Sequence, residues 1–216
     1  MKRTMRAVTI LLLAAMTQPC IAQTAHQLPF ASSNNSIELT VANTASTALS
    51  GVSITAENIP SWLKFSSAEQ RVALLKSGQE TVVRFSFSVD KSAPVNKEQS
   101  IDFTITATSS GQWSKRIAVT VAPPDRMELL QNYPNPFNPA TTISYLLPFD
   151  GRVRLSIYNL LGQQITTLAD EDQSAGHHQV MFEAARFSTG MYLYRLSFVD
   201  QRGKRYISQK RMILLK

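Results

Sequence analysis

The sequence predicts an all-β protein: two tandem β-sandwich domains behind a short leader. Three observations carry this reading. Apolar residues alternate with polar ones at a period of two along most of the chain. Clusters of Asn, Ser, Gly and Pro interrupt that alternation at the spacing expected of short strands, roughly every 8–12 residues. No stretch of useful length shows the i, i+3, i+4, i+7 spacing of an amphipathic helix.

The chain opens with Met1-Lys2-Arg3-Thr4-Met5-Arg6, passes through the apolar run Ala7 to Met16 and reaches Cys20-Ile21-Ala22-Gln23. A charged start, an apolar middle and small residues before a cut are the pattern of a secretory signal, residues 1–22, with cleavage expected between Ala22 and Gln23. At about ten residues the run is too short to span a bilayer, and no later stretch approaches that length, so the mature chain is expected to be soluble. Thr17-Gln18-Pro19 lacks the small and aliphatic residues that would make Cys20 a lipidation site. Cys20 is the single cysteine, so the mature chain has neither a disulfide nor a thiol nucleophile, and its stability must come from packed cores.

Residues 26–122 read as the first domain. The rows Ile37-Leu39-Val41, Val52-Ile54-Ala56, Val72-Leu74, Val83-Phe85-Phe87-Val89, Ile101-Phe103-Ile105-Ala107 and Ile117-Val119-Val121 are the expected inward faces, with turns at Ser77-Gly78 and Ser109-Ser110-Gly111. Short strands at this density indicate a β-sandwich of immunoglobulin or fibronectin type III architecture. The segment Asn58 to Phe65, containing Pro60-Ser61-Trp62-Leu63, followed by Gly78-Gln79-Glu80, loosely resembles bacterial surface Ig-like modules.

Paired Pro123-Pro124 stop the last of these strands, and residues 123–131 are expected to form an exposed, semi-rigid linker. Residues 132–216 resume the rhythm: Val153-Leu155-Ile157, Ile165 to Leu168, His178-Val180-Phe182, Tyr192-Tyr194-Leu196-Phe198 and Met212-Leu214 are the expected inward rows, with tight turns at Asp150-Gly151 and Arg202-Gly203.

The segment Tyr133-Pro134-Asn135-Pro136-Phe137-Asn138-Pro139, introduced by Asn132, stands apart. Each proline fixes φ and lacks an amide donor, and each residue before a proline is pushed away from the helical region. A stiff extended arm with two aromatic anchors, Tyr133 and Phe137, is expected. Beyond it come Thr141 to Pro148, Gly151 to Gln163 with Gly162, Ala175-Gly176-His177-His178, Ser188-Thr189-Gly190-Met191-Tyr192-Leu193-Tyr194-Arg195-Leu196, and Arg211-Met212-Ile213-Leu214-Leu215-Lys216. In this order and spacing the six segments resemble the type A C-terminal sorting domain of type IX secretion cargo, over about residues 129 to 216. The departures are minor: Glu183, Arg186, Phe187 and Met191 replace the commoner Asp, small residue, Leu and Val.

The resemblance implies a path and partners. The signal peptide takes the chain through the inner membrane, and the folded C-terminal domain docks on the type IX machinery of the outer membrane. A sortase-like peptidase then cuts in the linker, and the passenger is left at the cell surface, attached to lipopolysaccharide, or released. The sorting signal would comprise Tyr133, Pro134, Asn135, Pro136, Phe137, Asn138, Pro139, Gly162, Gly176, His177, Gly190, Tyr192, Met212 and Lys216. The protein would then be a transported substrate and no enzyme, and its passenger would bind a carbohydrate or protein ligand. A structural subunit of a surface assembly is the alternative, since the C-terminal half also resembles the Ig-like domain of flagellar hook-capping proteins.

Composition bears on the remaining classes. The formal net charge of +7 is uneven: residues 23–125 hold eight basic and eight acidic side chains, residues 126–216 eleven and seven. Arg202, Lys204, Arg205, Lys210, Arg211 and Lys216 crowd the last fifteen residues, where no acid occurs. In an exported chain this points to a charged edge strand that resists aggregation rather than to nucleic acid. Catalysis needs convergent titratable groups, and there are three histidines. His26 lies near the start of the first domain, while the neighbours His177 and His178 should point to opposite faces of a strand and share no metal. Asp170-Glu171-Asp172 lacks the spacing that wraps calcium and is expected at a solvated hairpin tip. Trp62 and Trp113 are the candidates for a sugar-stacking platform, against a core role. Asn34-Asn35-Ser36 matches a glycosylation acceptor only by its three-residue pattern. No phosphate loop, triad or nucleotide fold is present, so no cofactor is expected.

Overall fold

The computed structural model describes residues 10–12, 25–108 and 110–216, which divide into two compact units, one ending at Ala122 and the other spanning Pro123–Lys216. The described residues form strands and turns with no helix. The expected leader and its cut between Ala22 and Gln23 lie outside the described residues, except for Ile10–Leu12 (β1), which pair in parallel with Thr40–Ala42.

The first unit is a two-sheet sandwich. His26–Leu28 (β2), Leu49–Glu57 (β4), Glu69–Leu75 (β6), Gln99–Ala107 (β8) and Ser110–Val121 (β9) form one sheet in the order β2-β9-β8-β4-β6. Asn35–Ala42 (β3), Leu63–Phe65 (β5) and Glu80–Val89 (β7) form the other, in the order β1-β3-β7-β5. Alternation places Val83, Phe85, Phe87 and Val89 inward along β7, and Phe85 meets Phe103 of the facing sheet at 5.1 Å between ring centres. One expected row changes face. Leu49 and Val52 are both buried although three residues apart, because Gly51 between them sits at φ +58° and reverses the phase of the strand. On β6 opposite, Leu75 is therefore buried and Leu74, expected inside, is 50 % exposed.

The second unit has its own core. Glu128–Leu129 (β10), Ala140–Leu147 (β11) and Gly176–Glu183 (β14) form a three-stranded sheet in the order β10-β11-β14. Gly151–Tyr158 (β12), Gln164–Gln173 (β13), Gly190–Asp200 (β15) and Arg205–Leu214 (β16) form a four-stranded sheet in the order β13-β12-β15-β16. Between the sheets lie Ile143, Tyr145, Leu155, Tyr194, Leu196, Phe198, Met212 and Leu214, all fully buried. The expected linker 123–131 is shorter than the prolines imply. Glu128–Leu129 pair with Tyr145–Leu146, the Leu130 amide donates to the Ser144 carbonyl at 2.9 Å, and Leu129 is buried in the second core. An apolar residue able to reach that core outweighs the tendency of the preceding prolines to keep the chain in solvent.

Candidate functional site

The proline-rich segment does not project. It runs through a series of bends, with the Tyr133–Pro134, Asn135–Pro136 and Asn138–Pro139 bonds cis, and it is stitched to the second unit by the groups that its prolines leave available. Asn132, 2 % exposed, donates from its side-chain amide to the Pro134 carbonyl at 3.0 Å and to Thr141 Oγ1 at 2.9 Å, while the Thr141 hydroxyl donates to the same Pro134 carbonyl at 2.8 Å. The Tyr194 hydroxyl donates to the Leu130 carbonyl at 2.8 Å and accepts the Asn132 backbone amide at 3.0 Å. Burial pushes the Tyr194 phenol up to about 12, against the opposing effect of the Asn132 amide at its oxygen.

The two aromatic anchors separate. Phe137 is 2 % exposed and packs on Phe182 at 6.0 Å, and the contact continues through Phe187 to Tyr192. Tyr133 is 82 % exposed. The expectation of two anchors on an extended arm is thus corrected to one buried anchor and one presented ring. A proline fixes φ but does not decide which neighbouring side chain meets a core. The Phe137 amide donates to the Ile213 carbonyl and the Leu215 amide to the Phe137 carbonyl, both at 2.9 Å, while Asn135 Oδ1 accepts the Ile213 amide at 2.9 Å. Gln131 Nε2 donates to the Arg211 carbonyl at 2.8 Å. The segment therefore closes the last turnings of β16, whose outer edge would otherwise offer unpaired backbone groups.

Strand register gathers most of the expected signal at one end of this sandwich. Tyr158 lies opposite Gln164 and Leu193, Gly190 opposite Leu214, Tyr192 opposite Met212, and Ala140 opposite Glu183. The turn holding Gly162, the loop leading to Gly190, the proline segment and the terminal Leu215-Lys216 consequently share one pole. Tyr133, Pro134, Asn135, Pro136, Asn138, Pro139, Gly162 and Lys216 are exposed there, while Tyr192 and Met212 are buried beneath, the Tyr192 hydroxyl donating to the Ser188 carbonyl at 2.7 Å. Leu160 and Leu161 join them, 66 % and 84 % exposed, as do Ile213 and Leu215 at the chain end.

Gly176 and His177 are not part of this pole. Gly176 pairs with Leu147 at the opposite end, where the Ala175 amide donates to Asp150 Oδ1 at 2.7 Å. His177 lies opposite Leu146 and His178 opposite Tyr145, so the two rings do take opposite faces; His178 stacks on Tyr145 at 5.5 Å between ring centres. Asp170, Glu171 and Asp172 are strand residues of β13 rather than a hairpin tip, a further correction. Asp170 faces Arg154, and Asp172 faces Arg152; Arg152 reaches Asp170 at 2.9 Å, so cross-strand pairing holds this cluster in the sheet. Among the described residues no group of three or more His, Cys, Asp or Glu side chains could hold a metal ion. Trp62 is 6 % exposed, with its indole N–H donating to Gln99 Oε1 at 3.1 Å, and Trp113 packs half-buried against the same core, so neither offers an open stacking platform.

Sequence reading missed the work of Asn132, Thr141 and Tyr194. For Tyr194 a signal existed: a tyrosine in an otherwise apolar inward row must find a partner for its hydroxyl.

Residues 131–213 match the sequence model of the secretion system C-terminal sorting domain. No curated protein matches the chain. Among solved structures it is similar to dimeric latent PorU from Porphyromonas gingivalis (12 % identity, TM-score 0.36), covering 94 % of this chain and 20 % of PorU, so the chain spans about a fifth of that protein. It is also similar to CopC from Methylosinus trichosporium OB3b (10 % identity, TM-score 0.31, 41 % of this chain and 93 % of CopC). A third is the calcium-binding domain CBD12 of CALX1.1 (6 % identity, TM-score 0.37, 85 % of this chain and 78 % of that one). None of these structural likenesses bears on function. The family match falls on the unit whose one pole collects the arm, the Gly162 turn, the Gly190 loop and the chain end: the C-terminal unit is a secretion system C-terminal sorting domain.

Proposed function

We propose that the protein is a non-catalytic surface or extracellular protein whose C-terminal unit docks on the type IX machinery through the pole that presents Tyr133, Leu160, Leu161, Ile213 and Leu215. The observation that carries this is the collection of four sequence-distant segments into one exposed, preorganised surface. A partner that recognises it pays little ordering cost, because the hydrogen bonds of Asn132, Thr141 and Tyr194 already fix the arm. In this reading a sortase-like peptidase cuts between the units, in residues 123–127, and the passenger stays on the cell surface through lipopolysaccharide or is released. Paired Tyr133→Ala and Leu215→Ala substitutions should lower surface delivery at least about tenfold in a host with a working type IX system. Phe149→Ala, an exposed ring at the opposite pole, should leave delivery unchanged. Equal delivery of both variants would remove the pole from the mechanism.

A binding role for the passenger is supported by a polar recess of about 460 Å³ on the outer face of its β3-β7-β5 sheet, lined by Asn34, Ser36, Lys64, Ser66, Arg84 and Ser86 among others. Hydroxyls and an amide suit a hydroxyl-rich saccharide, while Lys64 and Arg84 are already paired with Asp90 and Glu38. With both tryptophans turned toward the core, this recess replaces them as the place to look. Ser86→Trp, which fills the recess from an exposed position, should abolish retention of the passenger on a glycan that it binds.

A further inference from the structure

The turn between β12 and β13 has two features that docking of the pole alone does not require. Leu160 and Leu161 project at 66 % and 84 % exposure, and Gly162 beside them, at φ +77°, has no atom within 4 Å of where a Cβ would stand, so the tip is surrounded by open space. Most of the tip's amides are also bonded within the turn. Asn159 Oδ1 accepts the amides of Leu161 at 3.0 Å and Gln163 at 2.9 Å, the Asn159 amide donates to the Gln163 carbonyl at 3.0 Å, and the Gly162 amide donates to the Asn159 carbonyl at 3.1 Å. The Asn159 side-chain amide donates to Gln163 Oε1 at 2.7 Å. A protein pocket built for specificity would be matched by outward-facing polar groups. A tip with most of its amides paired within itself and leucines outermost can seat its side chains at the hydrated boundary of a bilayer, where the remaining backbone groups still meet water.

Cations predominate around the tip, where Glu183, opposite Ala140, and the carboxylate of Lys216 are the anions. Residues 151–169, 184–199 and 201–216 contain no Asp or Glu, and neither does the stretch from Leu129 to Phe149. Arg195 packs over the Tyr158 ring at the base of the hairpin, 4.9 Å from its centre, and Leu193 opposite Tyr158 is paired in turn with Arg211. Arg186 and Lys216 lie on the loop and terminus of the same pole. Among the described residues, none of Arg186, Arg195, Arg211 and Lys216 forms an ion pair, whereas Arg152 and Arg154, farther down the same face, are paired with Asp170.

We infer that Leu160 and Leu161 form a membrane-contacting tip, inserted at the boundary between headgroups and acyl chains of an anionic bilayer while Arg195, Arg211 and Lys216 meet the headgroups. This deepens the docking reading, on which it rests for its biological setting, by naming a lipid surface as a second partner of the pole. An apolar tip flanked by cations without ion pairs, which outnumber the carboxylates of the pole, complements an anionic interface in both parts, and the bonded amides of Leu161, Gly162 and Gln163 lower the cost of seating the turn among the headgroups.

The test is co-sedimentation of the chain Gln23–Lys216 with vesicles of phosphatidylglycerol and phosphatidylethanolamine, and with vesicles of phosphatidylcholine alone. The wild type should bind the anionic vesicles, and the double substitution Leu160→Ser, Leu161→Ser should lower the partition coefficient at least about tenfold. Leu74→Ser, an exposed leucine of the passenger, is the control and should bind as wild type. Arg195→Gln should weaken binding to anionic vesicles and leave binding to phosphatidylcholine unchanged. Because both leucines are exposed, unchanged thermal midpoints show that the variants are folded. Absence of wild-type binding to anionic vesicles, or equal binding by the double variant, overturns the inference, in which case the tip serves a protein partner or none. Surface delivery measured with the Tyr133 and Leu215 substitutions is independent of vesicles, so a failure here leaves the sorting reading to stand or fall on its own assay.

Discussion

Tyr133 and Phe137 stand four residues apart in one proline-rich segment and have opposite fates, one in solvent and one in the core. Phe137→Ala should therefore destabilise the second unit by about 3–5 kcal/mol, as for other buried aromatic truncations, whereas Tyr133→Ala should change its stability by no more than about 0.5 kcal/mol. Denaturant unfolding of the two variants measures the contrast, and equal losses would mean that both rings are packed. Tyr194 yields a prediction in pH. Its folded value, about 12, lies above the ordinary tyrosine value of about 10, so the neutral phenol is the form the fold favours. The stabilisation is complete below about pH 10 and is lost as pH rises through about 12. Tyr194→Phe should remove that part of the alkaline loss, and should cost about 1–3 kcal/mol at neutral pH because the Leu130 carbonyl and Asn132 amide lose their partner. Sequence alone could show that Tyr194 points inward, but not that its hydroxyl meets a backbone 62 residues away, since that depends on how the arm folds back.

At the level of strands, the inward rows were readable wherever the period of two holds without a break, as in Val83-Phe85-Phe87-Val89 and Tyr192-Tyr194-Leu196-Phe198. They were not readable at Gly51, because a single positive φ reverses the phase and sends Leu74 outward. Nor was the charge cluster at 170–172 readable as a ladder, since pairing with Arg152 and Arg154 depends on the register of two strands. The linker was legible from Pro123-Pro124 but not its length, because Leu129 finds a place in the second core that no local rule foresees. Limited proteolysis should accordingly make its first cut within residues 123–127, where the backbone lies outside both sets of strands. A first cut at 128–131 would show that β10 does not hold.

For the whole molecule, two separate apolar cores and a family match confined to residues 131–213 set the C-terminal unit apart as the sorting domain. The six matching segments are scattered over about 85 positions; register brings four of them to one pole and places the Gly176-His177 segment at the other. If each unit is self-contained, removing the passenger should leave the unfolding midpoint of residues 123–216 unchanged in calorimetry, and a shifted midpoint would make the passenger part of the signal's fold. The most direct measurement of the central claim is surface delivery of a foreign periplasmic protein fused ahead of residues 123–216, in a host with a working type IX system. Delivery of the fusion to the cell surface, lost when the system is inactivated, is the predicted result; retention of a folded fusion in the periplasm would contradict the account.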